Sequence, residues 1–178
     1  FPLDFMRKID TGLVEARGFD VDAELAAAET IVATVAEGKD PFKGRTGDFE
    51  RHYLLEDAGE IMPYRVYVPA SYSKADKHPL IVALHGLGGN EDSMVSATYG
   101  MKELAESRGY IIAAPMGFRP DGGYGGYGAR PANRNSRLSE QDVMEVLQMM
   151  QEHYNIDSRR IYLMGHSMGG IGTWNMAS

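Results

Sequence analysis

Three short apolar runs limit what this chain can fold into. "PLIVALHG" (79–86), "YIIAAP" (110–115) and "RIYLMG" (160–165) are apolar almost throughout, and each stops at glycine or proline. A strand with one wet face would alternate. Runs this short, without alternation and bounded by turn formers, predict strands buried on both faces. Helical stretches lie between them. "TYGMKELAESRG" (98–109) ends on Gly109. "SEQDVMEVLQMMQEHY" (139–154) sets Val143, Val146, Leu147 and Met150 on one stripe, with Ser139 as the expected cap. Buried strands alternating with amphipathic helices give βαβ units, hence a mostly parallel sheet with helices on both faces. The expected fold class is α/β.

The sheet is expected to open differently. "RHYLL" and "YRVYVP" carry aromatic and β-branched residues at a period of two, with "DAGE" between them, which reads as an antiparallel hairpin. Residues 1–48 stand apart. Leu3–Arg17 and Asp22–Gly38 read as helices, with Gly18 and Gly38 as stops and Asp22 as a cap. "GKDPFKGRTGD" (38–48) is a run of turn formers and reads as a linker. The expected organisation is a helical extension over 1–48 and an α/β domain over 49–178.

Composition removes several function classes. A net charge of −7 argues against nucleic acid as the main partner. No apolar run approaches the ~20 residues of a membrane span. Without cysteine there are no disulfides, thiolate metal sites or cysteine nucleophile. That suits the cytoplasm or an exported protein that needs no staples. The chain opens on Phe1 rather than methionine, read as the trace of something upstream removed, by signal cleavage or at an expression boundary.

The motif that carries chemistry is Gly165-His166-Ser167-Met168-Gly169. G-x-S-x-G is weak alone in a chain with 21 glycines, but here it follows a predicted buried strand and opens a predicted helix. A nucleophilic serine in such a setting occupies a sharp, strained turn, and its hydroxyl projects above the sheet. Bulky neighbours at 165 and 169 would collide there. The plain alternative is a tight strand-to-helix turn that uses Gly165, Gly169 and Gly170 for packing alone. A second stretch favours the chemical reading. "HGLGGN" (85–90) leaves the first buried strand, where a glycine-rich loop can present a backbone N–H to an oxyanion. Leu87 is the expected donor, paired with the Met168 N–H. The stretch fits neither dinucleotide nor phosphate-loop patterns.

Together these stretches resemble the α/β-hydrolase superfamily. Within it they are similar to esterases related to polyhydroxybutyrate depolymerase, feruloyl esterase and the prolyl-oligopeptidase-like hydrolases. "YRVYVP", "PLIVALHGLGGNE", "RGYIIAAP", "SEQDVMEVL", "IDSRRIYLMGHSMGG" and "GTW" carry the resemblance, which covers about residues 49 to 178. It implies Ser167 as nucleophile and the Leu87 and Met168 amides as oxyanion hole, acting on a small or polymeric ester without cofactor. A peptidase is the enzymatic alternative, and a non-catalytic binding module of the same fold is the rival from another class.

The resemblance also implies serine, then acid, then histidine along the chain. Residues 168–178 contain no Asp, Glu or His. His166 adjoins the serine, where neighbouring side chains diverge, and His85 has a structural place in the oxyanion loop. A second segment is therefore expected to supply acid and base. The loop 117–137 leaves the carboxyl end of a strand, so Tyr124 and Tyr127 are candidates for a substrate cleft, against a solvent-exposed loop as the alternative. No histidine pair has metal-ligand spacing, and no metal is expected.

Overall fold

The computed structural model describes residues 21–42, 44–96, 99–126 and 133–178. It divides into two units at the Arg45–Thr46 boundary. In the first, α1 (Val21–Ala36) is an alanine-rich helix. Asp22 lies within this helix rather than before it as a cap. Gly38, at φ 72°, lies just beyond its end. The expected helix over Leu3–Arg17 lies outside the described residues.

The second unit is built on one five-stranded sheet. Its strands are β1 (Gly47–Leu55), β2 (Glu60–Val68), β3 (His78–Leu84), β4 (Ile111–Pro115) and β5 (Ile156–Gly165), in the order β1-β2-β4-β3-β5. β1 and β2 form the antiparallel hairpin, closed by a turn in which Gly59 takes φ 67°. β2 also runs antiparallel to β4, whereas β3 lies parallel to both β4 and β5. The helices are α2 (Glu91–Val95), α3 (Met101–Arg108), α4 (Arg134–His153) and α5 (Met168–Met176).

β3 and β4 lack alternation because both their faces are covered, whereas β5, also expected to be buried on both faces, alternates at the edge of the sheet and exposes Tyr162 and Met164. Ala83, Ile112 and Ala114 pack with Met94, Val95, Met101 and Ala105 of α2 and α3. Leu55 and Met62 of the hairpin meet Leu138 of α4 and Phe118 in a separate cluster. α3 ends where Gly109 turns left-handed, at φ 69°. α4 begins five residues earlier than its sequence pattern indicates. Asn133 caps it by accepting the Ser136 N–H at 2.9 Å. Ser139 is therefore an interior, fully buried helix residue, and its hydroxyl accepts the Tyr124 N–H at 3.0 Å. A cap signal counts only where the helix starts, and the stretch from Arg134 supplies enough helix formers to start it sooner.

Candidate active site

Strand order assembles the site. β4, β3 and β5 are neighbours and parallel, so the loops leaving their carboxyl ends meet along one edge of the sheet. Leu84 at the end of β3 is level with Gly165 at the end of β5. The "HGLGGN" loop and the serine turn thus leave the sheet side by side, and the His166 N–H donates to the Leu84 carbonyl at 3.1 Å.

Ser167 sits at the head of α5 with φ 53° and ψ −114°, a conformation an L-residue holds only under strain, and it is exposed. Residues held so far from the populated regions typically cost about 1–3 kcal/mol and persist only where their surroundings impose them. The glycines impose it. A side chain at Gly165 would overlap the backbone of Gly169, and one at Gly169 would overlap the Leu84 carbonyl. β5, α5 and β3 therefore approach at backbone distance, and the chain has room to turn only at 166–167. Gly86 brings the neighbouring loop into contact, since a Cβ there would stand 3.4 Å from the Ser167 Cβ.

The "HGLGGN" loop is held from three sides. His85 is buried, and its two ring nitrogens lie 2.7 Å from the carbonyl oxygens of Gly86 and Met116. The Gly88 N–H donates to the Pro120 carbonyl at 2.9 Å, and Gly88 takes φ 79°. Asn90 and Ser93 close the start of α2 with reciprocal bonds of 3.0 and 2.9 Å. Between these anchors Leu87 is exposed. Met168 is buried through its side chain, with its backbone N–H in the first turn of α5.

All five histidines are described, and none hydrogen-bonds Ser167. His52 pairs with Glu50 at 2.8 Å, and His78 reaches Ser73 and the Gly109 carbonyl. His85 is held as above. His153 meets Arg51 at 3.0 Å, and the His166 ring lies against Tyr99, 5.9 Å between centroids.

Tyr124 is not in a cleft. Its relative exposure is 0%, and its ring stands edge-on to His85 at 5.7 Å. Its carbonyl accepts from the Asn175 side chain at 3.1 Å. Burial pushes its phenol pKa well up. Tyr124 turns back under the serine turn at φ 49°, so close to α5 that a Cβ at Gly172 would lie 2.6 Å from it. It is packing beneath the site rather than substrate surface. Tyr127 lies outside the described residues.

Asp142 is the residue that sequence reasoning missed. It is fully buried on α4 and accepts from the Tyr53 hydroxyl at 2.5 Å, the Gly117 N–H at 2.6 Å and the Phe118 N–H at 3.1 Å. Burial outweighs these donors and lifts its carboxyl pKa to about 6. Asp142 thereby fixes the loop that leaves β4, which in turn holds Gly88 through Pro120. One signal for it was present. It falls on the buried stripe of α4, between Leu138 and Val146, where a lone charge has to be serving the backbone.

A mixed sheet of this order, helices on both faces and a strained serine at the strand-to-helix turn define the α/β-hydrolase fold. The model of the Esterase family matches residues 56–178, and the chain belongs to that family. A bifunctional acetylxylan esterase/xylanase of Neocallimastix patriciarum is 32% identical over 113 residues, covering 64% of this chain and 15% of that protein. Among solved structures, an S-formylglutathione hydrolase from Agrobacterium tumefaciens superposes with TM-score 0.61 at 19% identity, covering 73% of this chain and 52% of that one. A ferulic acid esterase from Anaeromyces mucronatus, solved with ferulic acid, gives TM-score 0.50 at 22% identity, covering 74% and 52%. The chain thus spans about half the length of these solved structures and a smaller part of the bifunctional enzyme. Among the described residues, no helix is long and apolar enough to cross a membrane.

Proposed function

We propose that this chain carries the nucleophile half of a serine carboxylic ester hydrolase. The observation that carries the reading is Ser167 itself, exposed at φ 53° on the carboxyl edge of the sheet, with Gly86 close against its Cβ. In the reaction, Ser167 Oγ attacks the ester carbonyl while a histidine takes its proton. The Leu87 and Met168 N–H groups hold the oxyanion. The alcohol departs with the proton that histidine returns, leaving an acyl-enzyme. Water, deprotonated by the same histidine, then releases the acid and frees Ser167. Acetylated and feruloylated carbohydrate esters are the proposed substrate class, in line with the relatives' names.

The histidine and its acid come from a segment outside these 178 residues. None of the five histidines hydrogen-bonds Ser167, and the chain covers 52% of the S-formylglutathione hydrolase it superposes on. The exposed apolar side chains of Tyr162 and Met164 on β5 and Ile171 and Trp174 on α5 support an additional layer at that edge.

Fluorophosphonate labelling of the purified protein tests the reading. A stoichiometric adduct on Ser167, absent in Ser167→Ala, is expected, together with turnover of aryl acetates or methyl ferulate. No adduct would turn the reading to a binding module of the same fold. Intact mass under denaturing conditions tests the second segment. An adduct on a single polypeptide of 19.6 kDa with no companion would remove it.

A further inference from the structure

Beside the oxyanion loop lies a group of acids that the hydrolytic reading does not use. Glu50 of β1 and Glu91 and Asp92 of α2 each bring one carboxylate oxygen within 4.8 Å of the others. On an open surface such a group would diverge into water. Glu91 cannot do so. It is 8% exposed, and its Oε2 is buried without a hydrogen-bond partner. A buried carboxylate oxygen that nothing satisfies is costly, and native structures rarely leave one so. Burial, with Glu50 and Asp92 beside it, raises the pKa of the Glu91 carboxyl.

The neighbouring charged groups pair with the other acids. Arg65 is shared between Asp48 at 2.6 Å and Asp92 at 3.1 Å, and Lys102 binds Asp48 at 2.9 Å. His52 serves Glu50. Among the described residues, Asp48, Glu50, Glu91 and Asp92 thus meet Arg65, Lys102 and His52, and none of these is bonded to Glu91 Oε2.

We propose that Glu50, Glu91 and Asp92 form a binding site for a hard divalent cation, calcium by preference. Donors that are all oxygen select a hard ion. Ligands on opposite sides of calcium, each bonded at about 2.3–2.6 Å, stand about 4.6–5.2 Å apart, which accommodates the observed span. Asp92 is exposed and Glu50 half-buried, so water completes the coordination. The ion would tie β1 to the first residues of α2, directly after the 85–90 loop. It would anchor the 85–90 loop at the Glu91 end, as His85 does at the other. The site stands on its own, whatever reaction Ser167 performs.

Calorimetric titration of calcium chloride into the chelator-treated protein tests it. One ion per chain is expected, with a Kd of about 10⁻⁴–10⁻³ M, weaker binding of magnesium, and a Tm that rises with calcium. Glu91→Gln and Glu50→Gln should each weaken binding at least about tenfold, as loss of one charged ligand predicts. No heat from either ion up to about 10 mM, well above that range, would overturn the site and leave a proton on Glu91 as the neutralising charge. Binding unchanged in both variants would overturn it equally. If Glu91→Gln does not fold, the wild-type titration and Glu50→Gln decide.

Discussion

At the scale of single residues, this molecule is organised around one strained position. Ser167 holds φ 53° because Gly165 and Gly169 let β5, α5 and β3 close around it. Stability and function should therefore separate here. Ser167→Gly, which reaches this conformation without a Cβ penalty, is expected to raise stability by about 1 kcal/mol while abolishing turnover. Urea unfolding beside an ester assay measures both, and equal stabilities would mean that the turn is not strained. Gly169→Ala is expected to act the other way. Its methyl would meet the Leu84 carbonyl, so β3 and α5 must part. A loss of about 1–3 kcal/mol, together with weakened fluorophosphonate labelling, is the expected outcome.

At the scale of elements, loops are held in place by buried polar groups reaching from helices and strands. Asp142 joins α4, β1 and the loop after β4 through Tyr53, Gly117 and Phe118. Asp142→Ala would strand three donors and should cost about 3 kcal/mol or more. Its titration gives a second prediction. The carboxyl has a pKa of about 6 in the fold against the ordinary 3.8, so the folded state binds the extra proton between these values. The stabilisation is fully present below about pH 3.8 and is lost as pH rises through about 6. Ionised carboxylates such as Asp48, lowered by Arg65 and Lys102 against the opposing effect of burial, push the opposite way. The difference between wild type and Asp142→Asn, which does not titrate, isolates the effect. That difference should shift against wild type as pH rises across the window, read by urea unfolding at several pH values.

At the scale of the whole molecule, the β5 edge of the sheet is open. β3 and β4 are covered on both faces, whereas β5 pairs with β3 and shows Tyr162 and Met164 to solvent. Trp174, the one tryptophan of the chain, is 82% exposed on α5 beside them. If a further segment completes the site, it should cover this edge. Acrylamide quenching of Trp174 fluorescence should then be markedly weaker in the full protein than in residues 46–178 alone. Equal quenching would place the missing histidine elsewhere.

Much of this was legible in the residues because it depends on local rules. Unbroken apolar runs mark the three parallel strands, two of them covered on both faces, a period of two marks the hairpin, and Gly109 and Gly38 mark helix ends. Gly-x-Ser-x-Gly between strand and helix marks the turn, because a backbone with no room for a Cβ has to be written in glycine. What the sequence left undecided was set by distance in space. Ser139 has the chemistry of a cap, but the helix had already begun, and the hydroxyl was left facing Tyr124. Tyr124 lies on a loop leaving the sheet edge, yet the chain folds it under α5. Asp142 and Tyr53, 89 positions apart, become partners only when α4 packs on the hairpin. The meeting of Glu50 with Glu91 is likewise tertiary. The sequence by itself determined which segments form strands and helices and where the serine must turn, since local periodicity and backbone sterics act on near neighbours. Only the tertiary structure decided which polar groups meet in the interior, because that depends on how strands are ordered rather than on what they contain.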